Sequence, residues 1–73
     1  MKILPTRKQK QLLDFIVDFQ KLQGISPSYE EMAEAMSMKS ISSAHGMVDR
    51  LVERGYVQRT IPGMPRSLHV LQE

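Results

Sequence analysis

A chain of 73 residues has room for one small domain, whose core stabilises by only about 3 to 5 kcal/mol, and residues 1–73 are read as a single unit. With no cysteine, disulfide frameworks and thiolate metal sites are excluded, and the short apolar runs and the signal-free first five residues exclude a membrane span or secretory leader and point to the cytoplasm. The formal net charge of +2 is mildly basic, which permits a nucleic-acid partner without requiring one.

The first element opens at Thr6, where Thr6-x-x-Gln9 forms a capping box: each side chain can satisfy the other residue's free backbone N–H. Apolar residues then recur at helical spacing, Leu12, Leu13, Phe15, Ile16, Phe19 and Leu22, predicting one buried stripe. Gly24 suits the left-handed residue that closes a helix, and Ser26-Pro27 blocks continuation. A second capping box, Ser28-x-x-Glu31, opens a helix of about two turns with Met32, Ala33, Ala35 and Met36 as its apolar members. Ser37, Met38 and Lys39 make the turn. Ser40 is an N-cap for a third helix reaching Arg54, with Gly55 as its stop and Ala44, Val48, Leu51 and Val52 facing inward.

Past Gly55 the period changes from helical to alternating. Residues 56–60 and 68–71 read as two strands joined by a loop containing Pro62-Gly63 and Pro65. The fold class is therefore mainly α with a small β-hairpin: a winged helix-turn-helix of three helices plus a two-stranded wing whose tip is residues 61–67. Residues 28–55 carry the layout in which a second helix enters the major groove of DNA and its leading residues meet base edges.

Charge is distributed unevenly. Residues 1–13 carry Lys2, Arg7, Lys8 and Lys10 and no acid, whereas residues 14–34 carry Asp14, Asp18, Glu30, Glu31 and Glu34 against Lys21 alone. Such a chain presents a basic face to phosphates and an acidic one to solvent, although soluble domains often show similar blocks by chance.

Taken in order, Leu4-Pro5-Thr6-Arg7-Lys8-Gln9, Gly24-Ile25-Ser26-Pro27-Ser28, Met32-Ala33-Glu34-Ala35-Met36, Lys39-Ser40, Leu51-Val52-Glu53-Arg54-Gly55 and Leu68-His69-Val70-Leu71 resemble the N-terminal DNA-binding domain of LexA-type repressors. The resemblance covers essentially the whole chain. It implies a bacterial or phage, nucleoid-associated regulator of SOS-response type that binds double-stranded DNA. Repressors of that type have a second, C-terminal domain that dimerises and cuts its own linker with a serine and lysine pair. Neither activity carries over to these residues, so no enzyme is expected; the chain is either the DNA-binding part of a longer repressor or a stand-alone regulator. At the start of the third helix the family's base-reading positions hold an asparagine and neighbouring acids, where this chain has Ser42 and His45-Gly46. Losing the bidentate amide removes an adenine preference, and losing the carboxylates removes acceptors for cytosine amino groups, so the family's operator is not assigned.

The base-reading candidates are Ser42, Ser43, His45 and Gly46. Ser42 and Ser43 occupy positions where a stronger helix former would otherwise serve. His45 lies off the apolar stripe, either as a groove contact or as a plain exposed histidine. Glycine inside a helix costs about 1 kcal/mol relative to alanine, so Gly46 requires a reason: close approach of the helix backbone to DNA, or close packing of helix three on helix two. Phosphate candidates are Arg7, Lys39, Arg50, Arg54, Arg59 and Arg66, the last in the wing tip, together with Ser28 and Tyr29, which resemble the family's backbone-anchoring site at the start of helix two, where a helix N-terminus favours anions. Ser40 is assigned first to capping and second to phosphate contact. His69 stands too far from His45 in sequence, with no cysteine to complete a site, for a metal centre to be expected. The methionines are core filler, with Met47 and Met64 outside the core pattern.

Two functions compete: sequence-specific DNA binding as a repressor, and a protein-interaction module docking through Glu30, Glu31 and Glu34. No cofactor or membrane partner is expected. With no heptad to drive association, the chain is expected to be a monomer that pairs on DNA half-sites or through a missing C-terminal domain.

Overall fold

In a computed structural model of the chain, residues 6–60 and 67–71 are described. The elements are α1 (Arg7–Gln23), α2 (Tyr29–Ala35), α3 (Ile41–Glu53), β1 (Val57–Arg59) and β2 (Leu68–Val70), three helices followed by a two-stranded hairpin as the sequence pattern predicts. Most of the wing tip, with Pro62, Met64, Pro65 and Arg66, lies outside the described residues.

Each helix starts where its local chemistry says it should. Thr6 accepts from the Gln9 backbone N–H while Gln9 Oε1 accepts from the Thr6 N–H, and Ser28 and Glu31 repeat the arrangement. Ser40 caps α3 by accepting from the Ser43 N–H. Helices α2 and α3 end alike. Ser37 and Met38 donate to the carbonyls of Glu34 and Ala33, and Gly55 and Tyr56 to those of Val52 and Leu51, the paired bonds of a Schellman closure. The closure needs a left-handed residue, which is Gly55 at φ 79 after α3 but Ser37 at φ 55 after α2. A serine there carries a steric penalty that glycine would not.

Leu12, Leu13 and Ile16 of α1, Met32 of α2 and Ala44, Val48 and Leu51 of α3 are fully buried, with Tyr56, Val57 and Leu68 closing the core from the hairpin. The stripe on α1 departs from expectation at its end. Leu22 is 82% exposed, whereas Val17 is buried; six residues on from Ile16, Leu22 points roughly 120° away from it. The inward line continues instead through Gln20, whose amide donates to the Leu68 carbonyl at 3.0 Å. Phe15 and Phe19 are half-buried and pair with their rings tilted by 53°, centroids 5.8 Å apart. Ala35, one of the apolar members of α2, is exposed, and Val52, expected to face inward, is only half-buried.

A two-stranded hairpin alone is marginal in water. Here β1 and β2 are antiparallel, with Val57 opposite Val70 and Arg59 opposite Leu68, and the strands span three residues each rather than the longer stretches read from the alternation. The outer edge of β2 is tied down: Leu68 N–H donates to the buried Ser26 hydroxyl at 3.3 Å while its carbonyl accepts from Gln20. Both peptide groups of Leu68 that point away from β1 are thus satisfied by α1 and the loop behind it.

Truncating Leu51 to Ala should cost about 2 to 5 kcal/mol, comparable with the whole stability of a domain this small. Urea unfolding followed by circular dichroism should find L51A largely unfolded in buffer; a midpoint close to that of the unmodified chain would contradict the core assignment.

Candidate nucleic-acid interface

Helix α3 has two faces. Ala44, Val48 and Leu51 seat it in the core, leaving Ser42, Ser43, His45, Gly46, Asp49 and Arg50 exposed on the other side. All four base-reading candidates therefore share one solvent-facing surface that opens at the α3 N-terminus. Ser43, besides donating its backbone N–H to the Ser40 cap, has its hydroxyl 3.3 Å from that of Ser40.

Gly46 sits centrally on this face. A Cβ built there would meet nothing within 4 Å. This removes the explanation in which a side chain at 46 would obstruct packing of α3 on α2, because the position looks outward into open space. The glycine is unexplained by the fold itself and leaves the middle of the exposed face without a side chain.

The N-terminus of α1 flanks the same surface. An open groove between the two helices is lined by Arg7, Lys8, Ser43, Gly46, Met47 and Arg50, and a neighbouring one, sharing Lys8, Ser43 and Met47, extends to Lys39. Exposed Arg7, Lys8, Lys39 and Arg50 thus rim the α3 face. Arg50 has a long 3.8 Å contact with Glu53, both well exposed; Arg7, Lys8 and Lys39 have no ion-pair partner among the described residues. Lys8 had not been singled out from sequence, although it belongs to the acid-free stretch at the start of the chain. Met47 is half-buried against the core and lines both grooves.

Gln9 holds α1 in place beside α3. It is buried, and its Oε1 accepts both the Thr6 N–H and, at 2.9 Å, the Arg54 guanidinium. The contact spans 45 residues of sequence and joins the first turn of α1 to the C-cap of α3. Arg54, expected at a phosphate, is thereby engaged within the fold.

Arg59 is also held internally. It donates from Nε to the Tyr29 hydroxyl at 3.1 Å and from Nη2 to Asp49 Oδ1 at 2.6 Å. The hydrogen bond to Tyr29, and secondarily the Asp49 carboxylate, raise its pKa above the ordinary arginine value against the opposing effect of burial. Tyr29, expected at a phosphate, directs its hydroxyl to Arg59 and its ring onto His45, the centroids lying 3.6 Å apart and the planes within 17°. His45 is thus exposed, with one ring face resting on tyrosine and the rest meeting solvent. Ser28 is occupied as the α2 cap. On the acidic side, Glu31 closes that capping box, while Glu30 and Glu34 are exposed. Among the described residues no group of three or more His, Asp or Glu is placed to hold a metal ion, and no helix is long and apolar enough to cross a membrane.

A three-helix core that offers the outer face of its third helix, with a hairpin strapped beside it and basic side chains along the rim, defines a winged helix-turn-helix of the nucleic-acid-binding kind. Residues 1–67 match the family model described as the LexA DNA binding domain, and the chain belongs to that family. It is similar to the LexA repressors of Novosphingobium aromaticivorans (47% identical over 68 residues, 93% of this chain), Rhodospirillum rubrum (46% over 67 residues, 92%) and Erythrobacter litoralis (43% over 68 residues, 93%). The chain spans only 29%, 26% and 29% of the length of these three relatives.

Since Gly46 is helical, exposed and sterically unopposed, replacing it with alanine should stabilise the free domain by about 1 kcal/mol, raising Tm by roughly 4 to 8 °C. Calorimetry checks this; an unchanged or lowered Tm would mean that the position carries a constraint the geometry does not show.

Proposed function

We propose that this chain is the DNA-binding unit of a transcriptional repressor and that it reads duplex DNA with the exposed face of α3, the hairpin lying against the backbone. The observation that carries this reading is the central, side-chain-free stripe at Gly46, flanked by the polar Ser42, Ser43 and His45 and rimmed by Arg7, Lys8, Lys39 and Arg50. A helix backbone can approach a groove floor closely only where no side chain intervenes. Polar groups at its leading end supply donors and acceptors to base edges, and the flanking cations neutralise phosphates and set the register. Arg66 of the wing tip is assigned to the backbone or minor groove with them. Membership of the LexA DNA-binding domain family supports the same reading.

Roles divide differently from the sequence expectation. Arg54 and Arg59 hold the fold together, and the phosphate contacts fall to the four exposed rim cations and Arg66; Ser28 and Ser40 serve as the caps the sequence pattern implies. The 73 residues act as one unit, a monomer in isolation that places two copies on half-sites about one helical turn apart, in the bacterial or phage nucleoid. A protein-docking role for Glu30 and Glu34 has no comparable feature: they are two exposed carboxylates on a short helix whose third acid is consumed in its cap.

Selection of duplexes from a randomised pool should recover a preferred site. Binding to that duplex should weaken as salt rises, with a logarithmic slope of roughly −0.9 for each phosphate neutralised, about −4 for four or five contacts. Gly46→Ala should weaken binding to it despite stabilising the domain, whereas charge reversal at Glu30 and Glu34 should leave binding intact. Failure to recover any duplex at low salt, or a slope near zero, would overturn the proposal.

A further inference from the structure

His45, Tyr29, Arg59 and Asp49 form a closed circuit. The imidazole of His45 on α3 lies flat on the Tyr29 ring of α2; the Tyr29 hydroxyl accepts from Arg59 Nε on β1; and Arg59 Nη2 donates to Asp49, which is one helical turn beyond His45 on the same face of α3. The circuit thus runs through both helices of the helix-turn-helix and the strand that leads into the wing. Tyr29 also packs against the hydrophobic core, whereas His45, Asp49 and Arg59 take no part in it.

We propose that Tyr29 and Arg59 are positioning residues that hold His45 in its base-reading orientation before DNA arrives, so that they govern selectivity at one base pair through His45 and without touching DNA themselves. This rests on the assignment of the α3 face as the DNA-reading surface. A side chain on an exposed helix face ordinarily exchanges among several rotamers and loses that freedom on binding. Stacking on Tyr29 selects one orientation in the free protein, and such preorganisation raises affinity by removing an ordering cost. The stack occupies a ring face only. Neither imidazole nitrogen has a hydrogen-bond partner among the described residues, so the ring edge, which carries the donor and acceptor, stays free for a base edge.

Arg59 does two things in this arrangement. It fixes the Tyr29 ring through the hydroxyl, and it pairs with the one carboxylate, Asp49, on the stretch of α3 between Ser42 and Arg50. An unpaired acid there would repel the phosphates that the rim cations attract. An arginine committed in this way contributes no counterion release of its own, which separates a positioning role from a phosphate contact.

The test uses the highest-affinity duplex recovered by random-pool selection and a double-mutant cycle. Tyr29→Leu should weaken binding about 2- to 10-fold, the range expected for losing an aromatic pair. In the His45→Ala background the same change should have less than about a 2-fold effect. Tyr29→Leu and His45→Ala should each relax preference at the same single base pair, with other positions unaffected. Arg59→Gln, made in an Asp49→Asn background so that no carboxylate is left unpaired, should relax that pair too while leaving the salt slope of that background unchanged. Thermal unfolding of each variant keeps folding separate from recognition; Tyr29→Phe, which retains the ring and loses only the anchoring hydroxyl, should show a smaller loss at the same base pair and serves where Tyr29→Leu unfolds. Additive losses in the cycle, loss of preference spread over the whole site, or a salt slope shallower by about 0.9 on adding Arg59→Gln to that background, the signature of a lost phosphate contact, would overturn the inference while leaving DNA binding standing. A pool yielding no duplex at low salt would overturn both.

Discussion

Everything in this small domain follows from helix α3 being apolar on one side only. Ala44, Val48 and Leu51 recur at spacings of four and three and are wholly buried, and burying such side chains contributes about 1.5 to 3 kcal/mol for each of the larger two. That is enough to fix the rotation of the helix about its own axis. Once the rotation is fixed, the residues between those positions have no choice but to face solvent. The surface on which recognition is proposed is therefore set by the core beneath it: turning α3 to hide Gly46 or Ser42 would expose Val48 or Leu51.

Apolar packing sets the rotation of a helix more firmly than its relative placement, and a few long-range polar contacts supply the rest. Gln9, buried between Thr6 and Arg54, brings the cationic start of α1 alongside α3. Ser26 and Gln20 grip the two outward peptide groups of Leu68, so that a hairpin too short to stand alone is held at the flank of the bundle. Hydrogen bonds of this kind contribute about 0.5 to 1.5 kcal/mol each, little beside the core. Their effect is geometric. Among the described residues no buried side-chain nitrogen or oxygen lacks a partner, which is what allows polar residues to sit at these junctions without penalty.

Local chemistry was legible in the sequence and distant chemistry was not. The caps at Thr6, Ser28 and Ser40 and the stop at Gly55 each depend on residues within one turn of one another, and the structure places them as the pattern implies, as it does Ala44, Val48 and Leu51 of the inward set on α3. The outward position of the base-reading candidates followed from the same periodicity. Errors arose where a residue's partner lies far along the chain. Arg54 and Arg59 looked like surface cations because Gln9, Tyr29 and Asp49, which engage them, are brought near only by folding. Leu22 is apolar and fits the spacing of the stripe, whereas Gln20 takes the inward position to meet a carbonyl 48 residues away. The stack of Tyr29 on His45 had no local signal at all. Lys8 had one, its place in an acid-free segment, but only the approach of α1 to α3 gives that charge a direction. As for Gly46, sequence supplied two explanations, and the open space around its missing Cβ eliminates one.

Contact between the outer face of α3 and duplex DNA can be read residue by residue by following backbone amide resonances of the domain as the selected duplex is added. The largest shifts should fall at residues 42–50 and at Arg7, Lys8 and Lys39, with Glu30 and Glu34 little changed. Shifts concentrated on α2 around Glu30 and Glu34, with residues 42–50 unmoved, would contradict such contact.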